Sequence, residues 1–277
     1  MAPPAAPWPS TAPDQPAAST DWAGLLAAMN IDRTVGVVDW CAPGAAAGRK
    51  HLDTFLQARL KRFATHRNDP NAGALSGVSP WLHYGQLAPQ RCALEAQRHR
   101  SRHSAAVASF LEELIVRREL ADNFCYYDDA YDKLYENKYD WCKTTLQSHA
   151  ADPRPVHYTR EQMEKAQTAD DLWNAAQKEM VLTGKMHGFL RMVSTSDQNR
   201  PARYAAASHR RVYLCQYWAK KILEWTGPEE VAAGGSPPER ALETALYLND
   251  KYSMDGRDPN GAPTFSTSRS GRRFPSR

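Results

Sequence analysis

The chain has 277 residues, 42% of them apolar, which is enough for one large domain or two small ones with a sizeable core. No apolar run approaches the roughly 18 residues that span a bilayer, and the first 20 residues lack the basic start of a signal peptide, so the sequence predicts an intracellular protein with no membrane contact. The net charge of +4 comes from residues 193–216 and 262–277, and the rest of the chain is net negative, so overall charge is no argument for a nucleic-acid partner.

The five cysteines are widely and irregularly spaced, and they form no CxxC pair. This pattern is typical neither of a zinc site nor of a disulfide framework. It predicts reduced thiols in an intracellular protein and no bound metal.

The N-terminal part of the chain is predicted to be irregular before it becomes helical. Residues 1–20 are rich in Pro and Ala and are predicted to be disordered. Residues 21–45 are interpreted as a linker with one short helix, which Asp21 or the residue before it can cap. Apolar residues at helical spacing then predict a helix over residues 46–64, and a loop follows at residues 67–73.

From Pro80 onward the pattern is helical almost throughout, and no alternating strand pattern of useful length occurs. The strongest signal lies over Ser104–Asn123, where apolar residues recur on one helical face. Further helices are predicted over Pro89–His99, Thr159–Ala166, Ala169–Thr183, Tyr217–Trp225 and, from a capping box at Ser236 and Glu239, to about Tyr252. The predicted fold is therefore an all-α, multi-helical domain.

A glycine between two serines precedes a helix that begins with proline. The segment is Ser76, Gly77, Val78 and Ser79. Backbone N–H groups, hydroxyls and a helix N-terminus together can bind an anion, although a simple helix start explains the same residues.

Glu113 and Arg117 lie four residues apart in the Ser104–Asn123 helix, on a stripe that also carries apolar residues. This spacing allows a surface ion pair on one helix face. It also allows the two charges to line a polar cavity at the border of the core.

Eight tryptophans are a high count. Trp218 and Trp225 are seven residues apart and therefore face the same way, about 10 Å apart along the helix axis, while Trp173 lies on another helix. Core packing explains them, and so does a path of indoles for electrons. The polar segment from Tyr247 to Gly261 is likewise either a solvated loop or part of a ligand site.

Several long segments, in matching order, resemble class II cyclobutane pyrimidine dimer photolyases. They are Ser76–Gln86, Phe110–Phe124, Leu172–Gln177, Thr183–Met192, Tyr217–Thr226 and Leu248–Gly261. The resemblance covers about residues 35–192 and 217–261. It implies the helical FAD-binding domain of a light-driven DNA repair enzyme, a carbon–carbon lyase that acts as a monomer on DNA containing pyrimidine dimers.

The resemblance also implies roles for individual residues. The implied cofactor-binding residues are Ser76, Gly77, Val78, Ser79, Arg117, Asn174, Gln177, Arg191, Asn249 and Asp255. Among these, the four residues from Ser76 match a loop at the flavin phosphates, Arg191 and Asp255 match a buried ion pair beside the flavin ring, and Asn249 matches an amide near flavin N5. The implied catalytic residues are Glu113 at the lesion and the indoles of Trp173, Trp218 and Trp225, which pass electrons to the flavin in an order left open.

The chain departs from the family pattern in four places. We expect no counterpart of the family's N-terminal α/β antenna domain in these residues, and residues 193–216 interrupt what the family has as one helix. The match stops at Gly261, before a segment predicted to be a disordered tail, and Phe63 stands where the family usually has a tyrosine. The alternatives are therefore a non-catalytic, cryptochrome-like flavoprotein and an inactive fragment from a faulty gene model. The family occurs in nuclei, chloroplasts and prokaryotic cytoplasm.

Overall fold

The structure is a computed structural model that describes residues 21–134, 140–191, 217–227 and 235–255, without the side chains of Trp22 and of residues 140–142. The chain divides into two compact units, residues 1–36 and residues 37–277. The predictions of disorder at both termini and of an insertion at residues 193–216 lie outside the described residues. The domain boundaries expected at residues 46 and 261 stay predictions.

The first unit contains one described helix, α1, over Trp22–Ala28. The Asp21 carboxylate accepts a hydrogen bond of 2.9 Å from the Gly24 N–H, which is the N-cap that the sequence predicts.

The second unit is helical, and its described residues contain no strand, so the all-α prediction is confirmed. Its α-helices are α2 Ala45–Thr54, α3 Leu60–His66, α4 Ser79–His83, α5 Pro89–Gln97, α6 Ser104–Leu111, α7 Arg118–Tyr127, α8 Asp140–Ser148, α9 Arg160–Glu164, α10 Asp171–Thr183, α11 Gly188–Arg191, α12 Tyr217–Trp225 and α13 Pro237–Tyr252. The predicted loop at residues 67–73 contains a short 3₁₀ turn over Pro70–Ala72. Helix α8 was not predicted. No described helix is long and apolar enough to cross a membrane.

Two of the long helices contain a widened turn. A π-helical segment, Phe55–Arg59, joins α2 to α3, and another, Glu112–Arg117, joins α6 to α7. Such segments admit an extra residue into the helical turn and occur often at functional sites. Here the second one changes which charged side chains face each other.

Local capping explains where two helices near the site begin and end. The Asp170 carboxylate accepts a hydrogen bond of 3.1 Å from the Trp173 N–H at the start of α10, and Gly184 ends that helix at a φ of +68°. A capping box between Ser236 and Glu239 opens α13 as the sequence predicts.

Buried apolar residues form two separate clusters. The first cluster lies between α2, α3, α4, α5 and α6 and consists of Leu52, Phe55, Leu56, Leu60, Phe63, Val78, Trp81, Leu87, Cys92, Ala96, Ala106, Val107, Phe110 and Leu114. The second cluster lies between α9, α10, α11, α12 and α13 and consists of Met163, Trp173, Ala176, Met180, Met186, Leu190, Trp218, Ala219, Ile222, Trp225, Ala241, Ala245 and Leu248. The candidate site uses residues from both clusters.

Candidate functional site

A buried ion pair joins the end of α11 to the segment after α13. Arg191 Nη1 donates to Asp255 Oδ1 over 3.0 Å, and the two side chains are only 5% and 7% exposed. The Ser253 hydroxyl donates to the same carboxylate oxygen over 2.7 Å and accepts from Arg191. The resemblance implies this buried pair, and the structure contains it.

The protonation of Asp255 follows from its neighbours. Burial favours the neutral acid, but the charges of Arg191 and Lys185 outweigh burial and hold the pKa of Asp255 well below its usual range. The Ser79 hydroxyl also hydrogen-bonds to Asp255 and acts in the same direction. The carboxylate is therefore charged at neutral pH.

Asn249 belongs to the same polar cluster. It lies on α13, is 2% exposed, and its Oδ1 is 3.4 Å from Arg191 Nη1. Its amide nitrogen donates to Asp250 over 2.9 Å. The structure thus brings Asn249, Arg191 and Asp255 together.

Lys185 connects this cluster to the start of α4. Its Nζ donates to the Ser79 hydroxyl over 2.6 Å and lies 3.9 Å from Asp255 Oδ2. Burial lowers the pKa of Lys185, the nearby Arg191 charge acts in the same direction, and Asp255 opposes both. The polar cluster is hereafter the set Ser79, Lys185, Arg191, Asn249, Ser253 and Asp255.

The turn before α4 needs its glycine. Gly77 has a φ of +68°, and a Cβ there would lie 2.8 Å from His51 Nε2. His51 Nε2 is 2.9 Å from the Ser76 carbonyl oxygen, and Arg59 Nη2 donates to the same oxygen over 3.4 Å. Val78 is buried in the first apolar cluster and anchors the turn to it. The turn is therefore held by a histidine, an arginine and a buried valine.

Three buried indoles form a contact chain in the second cluster. Trp173 and Trp218 are both fully buried, with ring planes 4° apart and centroids 6.4 Å apart. Trp225 contacts Trp173 edge-on, at a centroid distance of 5.3 Å and an angle of 74°. Trp173 is the middle member of the chain.

Hydrogen bonds fix two of these rings. Trp173 Nε1 donates to the Trp218 carbonyl oxygen over 3.1 Å, and Trp218 Nε1 donates to Gln177 Oε1 over 2.9 Å. Gln177 is fully buried, and its Nε2 lies 3.5 Å from the Glu164 carbonyl oxygen. Because Gln177 is the acceptor for Trp218, its observed contact is with the indole chain.

Asn174 does not join the polar cluster. Its Oδ1 accepts from the Thr168 hydroxyl over 2.8 Å and from the Thr168 N–H over 3.1 Å, and its Nδ2 donates to the Thr168 carbonyl over 2.6 Å. These bonds hold the turn before α10. The expectation that Asn174 contacts the cofactor finds no support in this geometry.

Glu113 and Arg117 do not form the i, i+4 ion pair that their spacing allows. Glu113 pairs instead with Arg67, and Arg117 Nε lies 3.5 Å from Glu112 Oε1. The reason is the π-helical turn over Glu112–Arg117, because in such a turn residues five apart face each other. No described contact joins Arg117 to the polar cluster.

Phe63 lies in the first apolar cluster, where its ring contacts Phe55 and Phe110 at centroid distances of 5.6 and 5.8 Å. The guanidinium of Arg67 lies 5.7 Å from the Phe63 ring centroid. A phenylalanine fits this position, because its ring makes aromatic contacts with Phe55 and Phe110 and a cation–π contact with Arg67.

The geometry adds residues that sequence reasoning missed. They are His51, Arg59, Arg67, Lys185 and Ser253. Lys185 and Ser253 lie within or beside segments that carry the family resemblance, so those segments were the available signal. His51 and Arg59 lie eight residues apart on one continuous helix, but nothing in that spacing indicates that both contact the Ser76 carbonyl.

The residues present fit an anionic cofactor such as FAD. Arg191 Nε is buried and has no acceptor among the described residues, and the same holds for Arg59 Nε beside the Ser76 turn. Lys185 adds a third cation between them, and Ser79 adds a hydroxyl. This set of donors is suited to phosphate oxygens and to a negatively charged ring.

Comparison with known proteins finds relatives that share one name, deoxyribodipyrimidine photo-lyase. It is 49% identical over 241 residues to a deoxyribodipyrimidine photo-lyase from Potorous tridactylus, a match that covers 87% of this chain and 39% of the relative. The protein of that name from Oryza sativa subsp. japonica is 48% identical over 92% of this chain and 44% of its own length. The one from Methanothermobacter thermautotrophicus is 42% identical over 79% of this chain and 40% of its own length. The chain thus spans about two fifths of these relatives. No family model matches it.

Proposed function

The chain belongs to the deoxyribodipyrimidine photolyase family as a partial homologue, and we propose that it binds FAD and takes part in light-driven repair of pyrimidine dimers in DNA. The observation that carries this proposal is that the polar cluster lies close to the three buried indoles. Helix α11, which bears Arg191, packs against α12, which bears two of the three indoles. The polar cluster and the three indoles therefore lie on helices that pack against each other.

The cofactor would be held by the Ser76–Ser79 turn and the polar cluster. The Ser76–Ser79 turn would bind the phosphates through its backbone N–H groups and hydroxyls, and Arg191 and Asn249 would bind the ring. When bound and reduced, FAD supplies a light-excited electron donor that can split the cyclobutane ring of a dimer. The family's residue at Arg117 is not part of this proposal, because its observed partner is Glu112.

The indole chain would carry electrons to the cofactor. Trp173 touches both Trp218 and Trp225, so an electron moves between adjacent rings without crossing a gap. The buried setting excludes water from the rings, and the Gln177 and Trp218 hydrogen bonds hold the ring planes in fixed orientations.

The DNA lesion would meet the Arg67–Glu113 pair. The Glu113 side chain is 43% exposed, so it can reach a ligand in solvent, and the Arg67 guanidinium beside it can donate hydrogen bonds to phosphate or base oxygens. The pyrimidine dimer must leave the duplex to reach such a site, and its poor stacking lowers the cost of doing so.

A repair assay tests the proposal. Purified chain is loaded with FAD, reduced, and mixed with an oligonucleotide containing one thymine dimer, in light and in the dark. Light-dependent loss of the dimer supports the proposal, and the variant Trp173→Phe should keep this activity when the flavin is reduced chemically beforehand. Bound flavin without dimer loss favours a non-catalytic photoreceptor, and absence of bound flavin favours an inactive fragment.

A further inference from the structure

We propose that Lys185 is a positioning residue that fixes the Ser76–Ser79 turn against the Arg191–Asp255 ion pair. The inference rests on the proposed function in one respect, since the two parts that Lys185 joins are those that would hold FAD. The joining itself is a property of the chain alone, and it can be measured without cofactor.

The backbone at Lys185 is tied down on both sides. The Gly184 N–H donates to the Met180 carbonyl over 2.9 Å, and the Gly184 carbonyl accepts from the Met254 N–H over 2.8 Å. The Lys185 carbonyl accepts from the Thr183 hydroxyl over 3.0 Å. The lysine therefore starts from a turn anchored to the end of α10 and to the segment that follows α13, and its side chain has a fixed origin.

The side chain connects two otherwise separate apolar clusters. Its partner Ser79 opens α4, which is anchored in the first cluster by Val78 and Trp81. Its other neighbour, Asp255, is bound to Arg191, next to Leu190 of the second cluster. Ser79 and Lys185 are 106 residues apart in the chain, so their contact sets the relative position of distant segments.

The charges around Lys185 indicate that it contributes polar interactions with Ser79 and Asp255 rather than apolar packing. Asp255 and Glu179 attract the ammonium, Arg191 repels it, and the Cys41 thiol lies nearby. Burying an ammonium costs free energy that an uncharged side chain of similar length avoids. A methionine would fill the same volume, so the hydrogen bond to Ser79 and the attraction to Asp255 are what the lysine contributes.

Hydrogen exchange of the cofactor-free chain tests the inference. The amides compared are those of Leu82, which donates to the Val78 carbonyl of the turn over 3.2 Å, and Tyr84, which donates to the Pro80 carbonyl over 3.1 Å, in the wild type, Lys185→Met, Ser79→Ala and the double variant. Because a hydrogen bond to a charged group holds the turn, each single variant should speed exchange by about tenfold or more. The double variant should exchange more slowly than the product of the two single effects predicts, since both single variants remove the Lys185–Ser79 bond and each also removes one further contact with Asp255. Lys165→Met serves as control, because Lys165 is exposed and pairs with Glu161 on α9.

Two results would overturn the inference. One is unchanged exchange at the turn in Lys185→Met, and the other is multiplication of the two single effects in the double variant. If Lys185→Met does not fold, Lys185→Gln takes its place, because it keeps a polar end but removes the ammonium that contacts Ser79 and Asp255, and it leaves the Ser79–Asp255 hydrogen bond intact.

Ligand binding separates positioning from general damage. Lys185→Met should weaken binding of FAD by at least about tenfold but leave binding of riboflavin, which lacks the phosphates, within about twofold. Equal weakening of both ligands would contradict a role at the phosphate turn. If the wild type binds neither ligand, the proposed function fails, while the exchange result stands or falls by itself.

Discussion

Trp173 and Trp218 lie on different helices with ring planes 4° apart, and the Trp173 N–H donates to the backbone carbonyl of Trp218. The two indoles are thus held both by their faces and by a hydrogen bond. Trp225 lies about two turns further along α12, on the same face as Trp218, and contacts Trp173 edge-on. The orientation of each ring depends on the other two, so a substitution at one of the three tryptophans should change the orientation of the remaining rings.

Replacing the middle indole should interrupt electron supply. In Trp173→Phe we expect most of the light-driven reduction of bound FAD to be lost, because both ring contacts pass through this residue. The free energy of unfolding should fall by about 1–3 kcal/mol from lost packing and the lost N–H donor. Flavin absorbance under blue light measures the first effect and urea unfolding the second. Trp40→Phe is the control, since Trp40 lies outside the indole chain and is 40% exposed; equal rates in both variants would contradict the path.

Removing the charge of Asp255 should destabilise the protein in a pH-dependent way. Asp255→Asn leaves Arg191 buried without its carboxylate, and breaking such a pair costs about 3–5 kcal/mol. Arg191 and Lys185 depress the folded-state pKa of Asp255, so its carboxylate stabilises the fold above the unfolded pKa of about 3.9. That contribution is lost as the pH falls below this value toward the folded-state pKa.

Urea unfolding of wild type and Asp255→Asn across pH 3 to 7, in steps of about one unit, measures this difference. It should be largest at neutral pH and shrink below about pH 4. Other carboxylates with low pKa, such as Glu164, titrate in both proteins and cancel in the comparison. A difference that does not change with pH would show that the aspartate charge is not the cause.

Gln177→Leu should leave the Trp218 indole N–H buried without an acceptor. The lost acceptor costs about 1–3 kcal/mol of unfolding free energy, more than the change in volume explains. Gln177→Glu keeps an acceptor oxygen in place and tests whether the acceptor or the shape matters. The measurement is thermal unfolding, with the near-ultraviolet circular dichroism of the tryptophans as a local signal. Equal stability of wild type and Gln177→Leu would exclude a structural role for this bond.

Glu113→Gln should separate stability from DNA recognition. The Arg67–Glu113 pair is partly exposed, and such pairs contribute at most about 1 kcal/mol to stability. We therefore expect unfolding to change little but binding of dimer-containing DNA to weaken, relative to undamaged DNA of the same sequence. Glu112→Gln is the matched control on the neighbouring position. Loss of stability with unchanged DNA preference would assign the pair a purely structural role.

Local signals in the sequence predicted much of the helical framework. Helix α13 begins at the capping box of Ser236 and Glu239 and ends at Tyr252, as predicted. Helix α12 has the predicted first and last residues. These elements depend on nearest neighbours, and such signals can be read from one segment alone.

Contacts between distant segments could not be predicted in the same way. The seven-residue spacing of Trp218 and Trp225 predicts a shared face but not that Trp173 lies against both. The π-helical turn at Glu112–Arg117 depends on packing rather than on residue type. The sequence therefore did not predict that Glu113 pairs with Arg67 instead of Arg117. The resemblance segment that contains Lys185 did not indicate its contact, because its partner is a serine 106 residues away.

The central claim is that the polar cluster around Arg191 and Asp255 is a flavin site. The visible absorbance of the folded chain, purified and saturated with FAD, measures the flavin bound per chain. We expect one flavin per chain for the wild type and a large loss of bound flavin in Arg191→Met, with the fold of that variant checked by circular dichroism. A folded wild type that holds no flavin, or an Arg191→Met variant that binds it equally well, would contradict the claim.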